Sequence, residues 1–459
     1  MTGTDGRVGG RAARSGLVLL MLAVCLPSCS PRSTPALDAE LKRIRDSGAP
    51  VSCADIQRKP ISDAENAAPI YLQAFSKMVD APSWDRDMLL DVLGARLEDI
   101  SAKEWAAVKK HVAANREALT LLHRATAVPR CQFDWGAAMR LPRLSEMRGS
   151  ARLLCWEALL HAKDGRRDQA WAACLAGMRV TRALAEDPRF LSQGCRHAAG
   201  GTALAEVKAL LPHLQLSASV WREVQATLDE MEQRDILLQS MNTARAGCID
   251  YFGELRQRDS RAVLNYRRAS WWFPFSPTRG AEVAVRRRMA LRFVATRSGM
   301  RSEAKYLRFM ADAISVAAKP TAKAAREYAA LEARYEELSQ SNEFFRHFFT
   351  PFSAVPRFIK DVLIWETECR LARIGVALEL HRRRHGRYPE TLDVLAPSIL
   401  EHVRPDPFTG KSLVYSVDDD GKGGMLYSVG INGEDDGGVR GKDDISWGPC
   451  PPSPRSDDD

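Results

Sequence analysis

No phosphate-binding loop, dinucleotide fingerprint, nucleophile elbow or His-Glu-x-x-His pair occurs in the 459 residues. Each of those motifs works because a fixed spacing brings particular atoms to one point, so their absence closes the usual route from a short motif to a reaction. Cysteine is not scarce, but no two of Cys53, Cys131, Cys155, Cys174, Cys195, Cys248, Cys369 and Cys450 stand at Cys-x-x-Cys spacing. A zinc knuckle and a dithiol redox motif are thereby excluded. Aromatic residues are modest at 7%. What remains is ordinary globular composition, 45% hydrophobic and 27% charged, with length for two or three domains.

Long apolar runs are also missing. Leu17–Leu26 is ten residues long, too short to span a bilayer, which takes roughly 20 apolar residues. It follows a basic start at Arg7, Arg11 and Arg14, the pattern of a secretory signal peptide over residues 1–28. The run ends Leu26-Pro27-Ser28-Cys29, which resembles a bacterial lipobox. That resemblance implies that Cys29 becomes the lipidated first residue, anchoring the mature chain in the bacterial cell envelope. Ser30 after the cysteine favours the outer membrane by the same analogy. Residues 29–60, with Pro31, Pro35 and Gly48-Ala49-Pro50 around one short charged helix, read as anchor and tether. In an oxidising compartment an even cysteine count permits bridges, and Cys155 with Cys174, on successive antiparallel helices, is the first pair to examine.

Residues 61–353 are expected to be helical. Ser62-x-x-Glu65 and Ser101-x-x-Glu104 are capping-box signatures. Apolar residues recur at three and four spacing in 66–79 and 105–125. A hairpin follows, Leu144 to Ala162 and Asp168 to Ala185 around Asp164-Gly165. Gly165, Ala170 and Ala176 make it similar to a degenerate tetratricopeptide unit, but no second copy at fixed period occurs. The expected body is an irregular helical-hairpin, TPR-like stack. Glu254, beside Tyr251 and Phe252, and His197 are the residues an unrecognised hydrolase site would use.

Charge is unevenly spread. The formal net charge is +8, and removal of residues 1–28 takes away three arginines and one aspartate, leaving about +6. Between Arg256 and Arg308 fourteen Lys and Arg face three acids, with Trp271, Trp272, Phe273 and Phe275 among them. That mixture suits an anionic membrane surface or acidic envelope polymer, or a solvated basic face. For an exported chain nucleic acid is not an expected partner. Phe344, Phe345, Phe348, Phe349, Phe352 and Phe358 then form an aromatic connector.

The most specific stretch is 354–448. A helix runs through Leu371, Ile374, Leu378 and His381 and stops at Gly386. Ser412 to Val417 and Gly424 to Val429 read as strands of a hairpin turning at Asp418–Gly421. Tyr388-Pro389, Pro405-Asp406-Pro407-Phe408, Tyr415, Ser428-Val429-Gly430-Ile431-Asn432-Gly433, Glu434 to Gly438 and Asp444-Ile445-Ser446-Trp447 follow in order. Together they make the segment similar to the C-terminal half of the major pseudopilin of type II secretion systems. The chain departs from that family in lacking a prepilin-peptidase motif and a long hydrophobic stem helix. The resemblance implies a small α+β module whose terminal loop holds calcium, with Asn432, Asp435, Asp436, Asp443 and Asp444 as ligands. The chain as a whole resembles uncharacterised bacterial envelope lipoproteins. His381 and His385 also stand at a spacing zinc can use, though within Arg382–Arg384. Residues 449–459 read as a disordered tail.

The expectation is a mainly α-helical envelope lipoprotein with a pseudopilin-like α+β module, binding or scaffolding rather than catalysing. The alternatives are an exported hydrolase and an accessory of a secretion or pilus-like system that meets envelope proteins.

Overall fold

The computed structural model describes residues 33–56, 60–134, 143–215, 217–232, 235–257, 296–340, 354–438 and 443–450. The leader with Cys29, the aromatic part of the basic stretch, Phe344–Phe352 and the last nine residues lie outside the described residues. Helices follow in the order α1 (Pro35–Asp46), α2 (Ala68–Lys77), α3 (Ser83–Asp91), α4 (Ala102–Ala114), α5 (Arg116–Ala127), α6 (Leu144–Lys163), α7 (Arg167–Arg179), α8 (Phe190–Leu210), α9 (Ala218–Glu232), α10 (Asp235–Gln257), α11 (Arg297–Ala317), α12 (Thr321–Gln340) and α13 (Ala354–His385). Three strands, β1 (Val414–Val417), β2 (Gly424–Ser428) and β3 (Ile445–Cys450), close the described chain. The fold is mainly helical with one small antiparallel sheet in the order β1-β2-β3.

Local chemistry explains the element ends. Ser101 and Glu104 form a reciprocal capping box at α4, Ser101 Oγ accepting from the Glu104 amide and Glu104 accepting from the Ser101 amide at 2.7 Å. At Ser62 the expected box is incomplete: its hydroxyl donates to Glu65 at 2.9 Å and only a 3-10 turn follows. Asn115 divides the periodic stretch 105–125 into α4 and α5. Its buried side chain donates to the carbonyls of His111 and Val79 and accepts from the Val79 amide at 2.8 Å. Gly165, at φ +72°, turns α6 back into α7 in the left-handed region where a β-carbon is costly. Both helices then pack on α8.

Two readings of the domain plan change. Helix α1 is no free tether: Leu37 and Ile44 are fully buried, α1 packs on α11, and Arg308 donates to the buried Glu40 at 2.6 Å. Nor is 354–448 an appendage with its own core. The first half of α13 places Val355, Ile359 and Leu363 in one apolar cluster with α1, α10, α11 and α12. Its second half places Trp365, Cys369, Ile374 and Leu378 in another, shared with α2 to α9 and the sheet. Helix α13 is therefore the spine on which both clusters are built, apolar on most sides as a central helix must be.

Two contacts fix that spine. The Trp365 indole lies against Gly200 of α8, where any β-carbon would overlap the ring, and its Nε1 donates to the Met231 carbonyl at 2.8 Å. The Trp447 indole of β3 lies against Gly375 of α13 in the same way. Adding volume to a filled interface costs about 1–3 kcal/mol, whereas Ala for Gly in an open helix position gains up to about 1 kcal/mol. Gly201, next to Gly200, has open space where its β-carbon would be. In chemical denaturation Gly200→Ala is expected to destabilise the protein and Gly201→Ala to stabilise it; equal effects of the two would show that Trp365 does not seat as described.

Candidate functional site

The terminal loop is positioned by the residues of its own motifs. Asp406 is buried and accepts from the Phe408 amide at 2.8 Å and from the Ser428 hydroxyl at 3.0 Å, tying the Pro-Asp-Pro-Phe turn to the end of β2. Burial raises its pKa against those hydrogen bonds. Tyr415 donates to the Pro389 carbonyl at 2.8 Å, and the Tyr388 amide donates to the Gly421 carbonyl at 2.8 Å. Gly430, at φ +64°, lets the chain pass beside the Asp443 carbonyl. These residues are structural staples, and the hairpin and the helix stop at Gly386 stand where the sequence placed them. Strand β3 was not expected. Ile445 pairs with Ser428 and Ser446 with Tyr427, with a register shift between Leu426 and Tyr427.

Around this frame the acidic side chains divide into two groups. Asp435 accepts from the Tyr427 hydroxyl at 2.8 Å and from the Gly437 amide at 2.9 Å. Asp444 accepts from the Gly438 amide at 2.7 Å, and Gly438 lies against the Tyr427 ring. Burial, then the Asp435 hydrogen bond, then the charges of Asp435 and Asp444 push the Tyr427 phenol up to about 12. On the other side Asn432 donates to Asp443 at 3.4 Å and accepts from the Glu434 amide. The described part of the loop is thus ordered by its own Asx turns. Asp436 is exposed. The second oxygen of Asp444 is buried without a hydrogen-bond partner, and 439–442 lie outside the described residues. Among the described residues no three His, Cys, Asp or Glu side chains converge as metal ligands.

The other candidates are scattered. The rings of His381 and His385 lie 4.3 Å apart, but His381 Nδ1 faces the Arg387 carbonyl at 3.2 Å. His197 stacks on Trp365 at 5.2 Å, and burial followed by the Arg196 charge pushes its pKa down to about 3. The side chain of Glu254 lies outside the described residues. Cys155 and Cys174 are buried free thiols, so the bridge first examined is not formed. In the described part of the basic stretch Arg256 pairs with Glu303 and Arg308 with Glu40.

Sequence reasoning missed two features. One is the C-terminal turn of α9, where Asp229, Glu230 and Glu232 stand at the negative end of the helix dipole. Arg182 binds Glu230 at 2.6 Å, Arg370 binds Glu232 at 2.8 Å, Arg373 binds Asp229 at 2.6 Å, and Arg404 joins both Asp229 and Glu232. The fully buried Arg196 donates to the Glu230 and Met231 carbonyls at 3.0 and 3.2 Å, and burial lowers its pKa to about 10. An acid run at a helix end was the available signal. The other is Glu206 on α8, fully buried, with one oxygen accepting from the Gly94 amide at 3.2 Å and the other without a partner. Burial raises its pKa to about 8, and it and Cys174 help burial raise the Cys155 thiol.

Glu206 makes stability depend on pH. Its folded pKa lies above the ordinary 4.5, so the folded chain keeps a proton that the unfolded chain loses. Its contribution is full below about 4.5 and is lost as pH rises toward about 8. Glu206→Gln is expected to melt like the parent near pH 5 and to be more stable, by on the order of a few kcal/mol, at pH 8 and above. A constant difference across that range in denaturant titrations would rule the effect out.

Among the described residues no helix is long and apolar enough to cross a membrane. No protein-family model matches this chain, and neither curated proteins nor solved structures yield a match.

Proposed function

We propose that this chain is a non-enzymatic lipoprotein of the bacterial envelope, anchored through Cys29, in which a helical platform scaffolds or binds other envelope components. The observation that carries this reading is the interlocking of both apolar clusters on α13. It makes one platform from the docked first helix to the terminal sheet. The strongly perturbed groups support it too: His197, Arg196 and Glu206 lie against an indole, helix-end carbonyls and a backbone amide, contacts suited to packing. The TPR-like character of the α6–α7 hairpin and the pseudopilin-like character of the terminal segment belong to the same proposal, with secretion components as one class of partner.

Calcium completes it. The residues fit on one observation: Asp444 carries a buried oxygen without a partner, in a loop with Asp435, Asp436, Asp443 and Asn432. Calcium takes six to eight oxygen ligands at flexible geometry; those side chains, with backbone carbonyls and water, would hold it, and it would neutralise a crowded acidic loop. The chain shares its core with this segment, so the test uses the whole mature protein. Calcium is expected to raise its melting midpoint by a few degrees and chelator to reverse this, with the response abolished in Asp444→Asn; an identical midpoint with and without calcium removes the site.

The anchor is tested separately. With Cys29→Ala, the expressed chain is expected to move from the membrane to the soluble envelope fraction and to lose metabolically incorporated acyl label. Label retained by the variant would place the anchor elsewhere.

A further inference from the structure

We propose that Arg245 of α10 is the centre of a binding site for a small free oxyanion of the phosphate or carboxylate type, with Arg43 of α1 supplying a second positive charge. Arg245 is only 4% exposed. Among the described residues its one hydrogen bond runs from Nη2 to Asn242 Oδ1 at 2.7 Å, a neutral acceptor on the same helix, and its Nε is buried without a partner. A guanidinium keeps its proton throughout the physiological range. Glu206 meets burial by holding a proton and staying neutral; arginine has no such route.

The neighbouring acids are already engaged. Glu40 of α1 accepts from Arg43 Nε at 3.0 Å and from Arg308 Nε at 2.6 Å. Glu303 of α11 pairs with Arg256. Asp250, farther along α10, accepts from the Cys53 amide at 2.7 Å and from the Ser52 hydroxyl at 3.1 Å. Burial and then the Arg43 charge lower the Arg245 pKa, with Tyr306 opposing, and no carboxylate acts on it. The electrostatic surroundings of Arg245 are therefore a second cation and a phenol, and a counter-charge is missing.

A charge taken out of water without a partner is among the costliest states a fold can hold. An oxyanion removes that cost twice over, accepting from the Arg245 Nε–H that has no acceptor and neutralising the guanidinium. Bonds of this charge-assisted kind are the strong ones, and the planar fork of arginine suits carboxylate and phosphate oxygens. The Arg43 side chain is 50% exposed and Asn242 is half-buried, so the approach lies on their side of α10. The depth of Nε selects a free anion over a headgroup fixed in a bilayer, which could not bring its phosphate to so buried a donor.

The test melts the mature protein at fixed ionic strength while inorganic phosphate replaces chloride. The midpoint is expected to rise by a few degrees and to saturate, as it does when a ligand binds the folded state alone. Arg245→Met is expected to melt at or above the parent in chloride and to lose the saturable rise. Arg43→Met should weaken the apparent affinity by about tenfold, and the exposed Arg45→Met should leave it unchanged. An equal rise in the parent and in Arg245→Met would assign the effect to the general stabilisation of folded chains by phosphate and overturn the site. So would a parent that does not respond, or an Arg245→Met that melts below it in chloride, since the guanidinium would then be compensated within the fold. Circular dichroism checks folding; if Arg245→Met does not fold, Arg43→Met decides, and an unchanged affinity there overturns the proposal.

Discussion

Helix α13 can occupy the centre of this molecule only because two glycines withdraw the side chains that would hold its neighbours away. Gly200 gives the Trp365 indole a bare stretch of α8, and Gly375 gives the Trp447 indole a bare stretch of α13 itself. Indole is the largest side chain to place in a close-packed interior, and such interiors transmit any change in volume. The first contact sets how α13 crosses the helical body; the second sets where the sheet lies on α13. Since α13 also supplies apolar side chains to both clusters, the position of nearly every other element is measured from these two rings.

A central helix carrying charge needs partners at fixed heights. Glu366 accepts from the Thr321 hydroxyl at 2.7 Å and pairs with Arg370; Arg370 and Arg373 reach the last turn of α9; Glu379 is held by Arg382, Arg383 and Tyr388. Buried ion pairs add little net stability over apolar packing, yet breaking one costs about 3–5 kcal/mol because the remaining charge is stranded. Sliding α13 by a single turn would break the contacts that leave the helix, Glu366 with Thr321 and Arg370 and Arg373 with the last turn of α9, together. Their contribution is to register, and the arginines at α9 serve twice, since they also offset three acids on an unfavourable helix end.

Much of this architecture was legible from the chain. The Ser101–Glu104 box, the Gly165 turn, the Gly386 stop and the β1–β2 hairpin each depend on neighbours within a few residues, and local chemistry decides them. What was not legible depends on partners far away. Helix α1 is short and charged and reads as a spacer until Leu37 and Ile44 meet α11. The boundary at 354 looked like the start of a module because connector residues precede it, although α13 belongs to both cores. Strand β3 is split from its partner by a Gly- and Asp-rich loop whose composition masks the pairing of Ile445 with Ser428.

The same division explains why the clearest motifs in the chain describe the fold and not a reaction. Asp406, Ser428, Tyr388, Tyr415, Gly430 and Trp447 are distinctive because each has one job in holding the terminal segment to itself or to α13. A side chain whose hydrogen-bonding capacity is met by the fold has none left for a ligand. Among the described residues the atoms that the fold leaves without a counterpart include the second oxygen of Asp444 and one oxygen of Glu206. Their chemistry becomes visible only when hydrogen bonds are assigned atom by atom.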